Sequence, residues 1–388
     1  MTDDSKARPA KASPAKTKPA SDNGSKTGRP MPSDYAISLD TYARGGTDNF
    51  LLNPPEKQIQ PMQGFEDQYT DIIDYIVRIT HHIWEDGNIG YIYDTYAHNA
   101  RVYDDYGLQY GRDKIVADTV HTINAFPDIR LFADDVIWAG DDQMGFHTSH
   151  RTILNGHNTG FSRYGAPTGR KMVVTCIANC VALENEIFEE HVIYNTASML
   201  KQLGFNLFDM ARKMAPVDRS GLDDPRFGEP TRLPGQGKPA IYTRHADKFD
   251  VEDFLLEMYH MVWNRRGLNH LNKCYAPNVR YHGSTDREYH GVNAIKSFNL
   301  SIMAMFPDLS MQVDDMYWMG NDEEGYRVSV RWSIVGTHQG NGIYGLPTGR
   351  QAYMWGISQH IIKDEHIVEE WTLFNEFALM QQLLGQRA

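Results

Sequence analysis

Sixteen histidines are spread through the 388 residues. Three of them, with one glutamate, form the set best suited to moving protons: His282, His338, His360 and Glu369. Histidine titrates near neutral pH, and a carboxylate beside an imidazole orients the ring and stabilises its cation. The first half offers Tyr103, His150, His191 and Glu189 for the same work. Residues 327–335 alternate, with Val328, Val330, Trp332 and Ile334 on one face and Arg327, Ser329 and Arg331 on the other, so His338 shares the apolar face. Glu369, Trp371 and Leu373 share a face by the same rule, as do Glu189, His191 and Ile193. Arg151 and Arg331 point away from His150 and His338 and read as residues of an interface between sheets. Asp134-Asp135 and Asp314-Asp315 are neighbours on a strand, so their carboxylates face opposite ways and form no dyad.

Other chemistries lack their residues. His81, His82 and His260 have no i, i+4 histidine pair with a glutamate, as a zinc protease helix would. Cys176, Cys180 and Cys274 read as buried thiols. Neither a phosphate loop with its lysine nor a dinucleotide fingerprint is present. The expectation is acid/base chemistry with no metal and no organic cofactor.

The elements that must position these groups occur twice. Residues 164–170 read Tyr-Gly-Ala-Pro-Thr-Gly-Arg and residues 344–350 read Tyr-Gly-Leu-Pro-Thr-Gly-Arg. Without gaps, 19 of 45 positions agree between 126–170 and 306–350, where chance gives about three. Upstream the offset falls to 179, pairing Trp84 with Trp263, Tyr96 with Tyr275 and Arg101 with Arg280, so one residue was inserted between about 103 and 111. Downstream, Glu189-Glu190 matches Glu369-Glu370. Each copy begins with an apolar helical stripe within 66–84 or its repeat, continues with a short helix near 88–96 or 268–275, and then a helix between Gly111 and Pro127 or between Gly291 and Pro307. Strands follow, including 171–183, 187–194, 351–363 and 367–374. Helices first and a meander after them predict an α+β fold with a sheet curved over a ligand-sized cavity.

Composition bounds the rest. No apolar run reaches the ~18 residues of a membrane span. Three cysteines in a chain of this size argue against disulfide stapling. Residues 1–30 carry seven basic and three acidic side chains, a net +4, so a total of −12 leaves −16 on the remainder. A body that acidic repels phosphate backbones, so nucleic acid is not an expected partner. The expected partner is a small-molecule substrate in a cytoplasmic setting, with no membrane. The expected organisation is a disordered basic tail and leader over 1–60, a first domain over 66–208, a linker over 211–245 and a second domain over 247–386.

Gly336-Thr337-His338, Gly340 and Tyr344-Gly345-Leu346-Pro347-Thr348-Gly349-Arg350, closed by Asp364-Glu365-His366-Ile367-Val368-Glu369-Glu370-Trp371 and Asn375, resemble the SnoaL-like family of polyketide cyclases in the nuclear transport factor two-like superfamily. The first copy, with Gly156-His157-Asn158 and Gly165-Ala166-Pro167-Thr168-Gly169-Arg170, resembles a diverged version. The resemblance implies two tandem cone-shaped half-barrels, each a curved antiparallel sheet wrapped around three N-terminal helices, packed as a pseudo-dimer; assembly of that pseudo-dimer into a homo-oligomer stays open.

The family's cyclases place an acid/base aspartate where this chain has Ser358 and Ala178. If Ser358 faces the cavity, so does His360, with His150 and Asn158 inward in the first copy and His282 and Tyr103 at the rim. The catalytic set is then His338, His360, His282 and Glu369. The substrate contacts are Ser358, Trp371, Trp332, Tyr103, His150, Asn158, His191 and Glu189. Without the aspartate, the chemistry is similar to that of cofactorless diarylpropane formaldehyde-lyases. The expected activity is a retro-aldol, dehydration or deformylation lyase acting on a hydrophobic, phenolic multi-ring molecule such as a lignin-derived dimer. The alternatives are a cyclase or isomerase with a relocated acid/base group, and a non-catalytic ligand-binding module.

Overall fold

The computed structural model describes residues 51, 58, 60–215 and 241–385. The tail and most of the leader expected within 1–60, and residues 216–240 of the expected linker, lie outside the described residues.

The first unit runs α1 (Ile72–Trp84), α2 (Ile92–Thr95), β1 (Tyr96–Asp104), β2 (Gly107–Tyr110), α3 (Arg112–Ala125), β3 (Arg130–Asp141), β4 (Gly145–His157), β5 (Lys171–Leu183) and β6 (Glu186–Ile193), followed by α4 (Thr196–Gln202) and α5 (Leu207–Met214). The second repeats the order as α6 (Val251–Tyr259), α7 (Leu271–Cys274), β7 (Tyr275–Gly283), β8 (Arg287–His290), α8 (Val292–Met305), β9 (Ser310–Asn321), β10 (Gly325–Thr337), β11 (Gln351–Lys363), β12 (His366–Phe374) and α9 (Glu376–Leu384). The first apolar stripe becomes helical only at Ile72, because Asp71 caps α1 by accepting from the Asp74 N–H at 2.8 Å. The extra residue of the second copy sits in a hairpin: Asp105-Tyr106 turns between β1 and β2, whereas Ser284-Thr285-Asp286 turns between β7 and β8.

Each unit has one six-stranded sheet, in the orders β2-β1-β6-β5-β4-β3 and β8-β7-β12-β11-β10-β9. The sheets are mixed rather than purely antiparallel: β1 runs parallel to β6 and β7 parallel to β12, because the first strand of each unit docks beside its last. The helices cover one face of each sheet, giving an α+β half-barrel in each unit.

The other faces meet. Ser149 and Ser329 are equivalent positions, as are Asn179 and Gln359. Asn179 donates to Ser329 Oγ at 3.1 Å, and Gln359 donates to Ser149 Oγ at 2.8 Å. Reciprocal contacts of this kind define a two-fold interface, here internal to one chain. Around them Tyr103, Ile177 and Ile193 of the first unit pack with Tyr353, Trp355, Ile357 and Leu373 of the second. Arg151 adds a cation–π contact, its Cζ 3.6 Å from the Trp371 ring centre, and bonds to Gln359.

Candidate active site

Between its helices and the inner face of its sheet, the first unit encloses a cavity of about 640 Å³. The same place in the second unit holds about 50 Å³. The first volume suits a multi-ring ligand; the second suits one or two waters. Equivalent positions show why. Thr152 becomes Trp332, Thr80 becomes Tyr259 and Asp118 becomes Phe298, and all three larger side chains line the residual second pocket. A Cβ at Gly356 would lie 2.6 Å from Trp332 Cζ2, so the indole fits only because glycine stands where the first unit has Cys176.

Several polar groups of the filled unit bond one another. Ser358 Oγ accepts from the Trp332 indole N–H at 2.9 Å and bonds Thr372 Oγ1 at 2.7 Å. His360 Nε2 bonds the Tyr259 hydroxyl at 2.9 Å, and burial lowers the imidazole pKa. His360 is wholly buried among these groups and lines neither cavity.

Six further candidates, His282, Glu369, Trp371, Tyr103, His191 and Glu189, line neither cavity and sit on the other sheet face or its rim. His282 stacks on Trp371 with ring centres 4.7 Å apart, with Nε2 3.0 Å from Glu369 and Nδ1 2.6 Å from Glu288. Glu369 also accepts from Arg280. In the first unit Tyr103 stacks on His191 at 4.7 Å, and His191 meets Trp355 of the second unit edge-on. Glu189 accepts from Arg101 at 2.6 Å. Tyr103, His191 and Trp371 pack where the units join, His282, Glu369 and Glu189 bond within their own units beside them, and none of the six lines a cavity.

His338 and Asn158 occupy equivalent positions at the neck of the loop after β10 and β4. Asn158 donates to Ala125 O and Gly160 O and accepts from the Thr168 N–H. His338 Nδ1 accepts from the Thr348 N–H at 3.4 Å, and its ring lies on Phe306. Both pin the Pro-Thr-Gly-Arg turn. The conformation needs glycine where the loop crosses a helix end: a Cβ at Gly160 or Gly340 would stand 1.8 Å from Asn124 O or Ala304 O.

Of the candidate catalytic and substrate-contact residues, His150 alone lines the large cavity. Burial, then the neighbouring Arg151, lowers its pKa to about 3. It is therefore a neutral ring, a hydrogen-bonding group rather than a cation, and its Nε2 has no protein partner. The group that sequence reasoning missed is Glu190. It lines the cavity beside Tyr96, whose hydroxyl donates to Glu190 Oε2 at 2.8 Å. Burial raises its pKa to about 7, with the Tyr96 hydrogen bond acting in the opposite direction. A carboxyl poised there both takes and returns a proton at neutral pH. Tyr164 contributes a buried hydroxyl with no protein partner in the cavity wall. The Tyr–Glu pair was visible as a repeat: Tyr275 donates to Glu370 Oε2 at 2.6 Å in the second unit.

Ile76, Ile79, Leu154, Met172 and Val192 supply apolar wall, while Thr80, Asp104, Asp118, Thr119 and Thr152 add further polar side chains to the lining. Exposure rises toward Phe161, Arg163, His121 and Asn124, which mark the mouth between α3 and the loop after β4. Among the described residues, no group of three or more His, Cys, Asp or Glu could hold a metal ion. No described helix is long and apolar enough to cross a membrane.

Residues 254–383 match the family described as SnoaL-like polyketide cyclase. No curated protein matches the chain in sequence. Among solved structures, the chain is similar to IdmH from Streptomyces antibioticus, a candidate polyketide cyclase (24% identity, 34% of this chain and 96% of that one, TM-score 0.30). It is also similar to AclR from Streptomyces galilaeus, a candidate hydroxylase (26%, 34% and 92%, 0.29). A candidate polyketide cyclase from Acidithiobacillus ferrooxidans matches at 20% identity over 36% of this chain and 97% of that one, with a TM-score of 0.30.

Proposed function

We propose, for a chain whose second unit belongs to the SnoaL-like polyketide cyclase family, that the first unit is a cofactor-independent acid/base enzyme and the second its internal scaffold. The family supports a cyclase or isomerase type of activity. The observation that carries the assignment is the open cavity of the first unit with Glu190 held near neutral pKa inside it. In this reading a hydrophobic multi-ring substrate fills the cavity. The Glu190 carboxylate takes a proton from carbon beside a carbonyl and returns it at another atom, and Tyr96 keeps the carboxylate oriented. His150 and Tyr164 offer neutral hydrogen bonds to substrate oxygens.

One observation favours a second reading. By the resemblance to the family, Ala178 stands where its cyclases carry an acid/base aspartate, and Glu190 stands on the neighbouring strand opposite Cys180. A relocated base also suits a lyase acting on a phenolic dimer. There Glu190 would take a hydroxyl proton, the adjacent C–C bond would break to release formaldehyde, and the freed electron pair would expel the hydroxyl of the next carbon, which leaves as water with the proton returned by Glu190. Both readings use Glu190 as the base, on a carbon-bound proton in the first and on a hydroxyl proton in the second.

Incubation in deuterated water with a panel of multi-ring ketones and phenolic diaryl diols tests them. Isotope entering the substrate without a fragment marks the cyclase or isomerase; released formaldehyde marks the lyase. Glu190→Gln should lower either rate by about 10²–10⁴-fold, and Thr152→Trp with Cys176→Gly, which copies the filled unit, should abolish it. Full activity in Glu190→Gln sinks the assignment.

A further inference from the structure

The mouth of the first cavity carries a feature the second unit lacks. Arg163 lines it, exposed on its outer side, with Cζ 4.0 Å from the centre of the Tyr106 ring. Its equivalent in the second unit is Ile343, where the cavity is filled. His121 and Asn124 across the mouth likewise become Ser301 and Ala304.

Of the acidic side chains nearby, Asp104 is buried, which raises its pKa to about 6 against the opposing Arg163 charge, but its hydrogen bonds go to its own turn. Asp104 accepts from the backbone N–H groups of Tyr106 at 2.7 Å and Gly107 at 2.9 Å, and from Gln109. Asp118 pairs with Lys114. Tyr106 thus holds the guanidinium plane by stacking and leaves its N–H edge for a partner.

We propose, building on the reading of this cavity as a substrate site, that its ligand carries an anionic group, a carboxylate or an acidic oxygen group of similar shape, seated at the mouth against Arg163. The ring system then runs inward toward Glu190. Physical chemistry sets this polarity. An anion buried in the interior would lose its hydration and find only neutral groups such as His150 and Tyr164, with no positive charge to pair with. At the mouth it keeps water on one side and gains a two-pronged guanidinium contact on the other. Exposed Phe161 beside it offers an apolar edge to the first ring.

Two fluorescent probes with one ring frame separate charge from shape: neutral N-phenyl-1-naphthylamine and anionic 8-anilino-1-naphthalenesulfonate. Each is titrated into the full chain at low ionic strength. Arg163→Ile, which copies the second unit, should weaken the anionic probe about tenfold and leave the neutral probe within about twofold. Equal loss of both, or of neither, overturns the anionic-mouth proposal while leaving the cavity reading standing. The filled-cavity double variant should abolish binding of both probes. If it binds them as the parent does, or if the parent binds neither, the cavity reading itself fails and the proposal with it.

Discussion

Glu189 and Glu190 differ by one position and by an entire environment. Alternation counted from Ile187, which lines the cavity, sends Glu189 inward. The strand does not alternate there: Ile187 pairs with Ala182 and Glu189 with Val181, leaving Phe188 as an extra residue. A bulge of this kind reverses the faces beyond it, so Glu190 enters the cavity and Glu189 meets Arg101 outside. The same offset recurs around Val368. The burial of Glu190 has a consequence for stability. Its pKa rises from 4.5 to about 7 on folding, so the native state holds a proton that the unfolded chain releases between those values. The contribution is full below pH ~4.5 and is lost as pH rises through ~7. Urea unfolding should therefore show Glu190→Gln more stable than the parent near pH 8.5, by up to about 3 kcal/mol, with the gap closing near pH 4. A gap independent of pH would mean that Glu190 does not titrate in this range.

At the scale of elements, β10 and β11 decide which unit can hold a ligand. They match β4 and β5 in length and register, yet Trp332 against Gly356 replaces Thr152 against Cys176. The indole packs among apolar residues of the second core and donates to Ser358. Trp332→Thr should reopen that space and cost about 3–5 kcal/mol, the range for removing a buried large side chain, while leaving the first unit's activity in place. Chemical denaturation and an activity assay on one preparation check both halves. An unchanged stability would show that the indole does not carry the second core.

At the scale of the whole molecule, the interface between units is nearly two-fold in geometry but unequal in bonding. Gln359 bonds Arg151, Ser149 O and Ser149 Oγ, whereas its equivalent Asn179 donates to Ser329 Oγ. Removing Gln359 leaves more buried polar groups without partners, and each costs about 1–3 kcal/mol. Gln359→Leu should thus destabilise the chain by about 2–3 kcal/mol and Asn179→Leu by clearly less, measured by urea unfolding. Equal losses would mean that the asymmetry carries no energy.

The duplication, the order of elements and the bounds of β5 and β11 were legible in the sequence, because they rest on local periodicity, proline and glycine, and on identities at a constant offset. So was the outward, interfacial place of Arg151, which follows from alternation within one strand. The parallel docking of β1 on β6 was not, since it joins segments about ninety residues apart. The site was half legible. His150 followed from strand phase, and the repeated Tyr and Glu-Glu positions were visible as repeats. Which glutamate faces inward depended on a bulge. His282 and Glu369 were read into the second copy's reactive set and Tyr103 and His191 into the first copy's, but whether their face met a ligand or the other unit depended on how two sheets pack. The family motifs lie most clearly in the second unit, while the open cavity lies in the first. A motif records loops and turns that the backbone requires; a cavity is the volume left after side chains from distant elements have met, and Trp332, Tyr259 and Phe298 meet only in three dimensions.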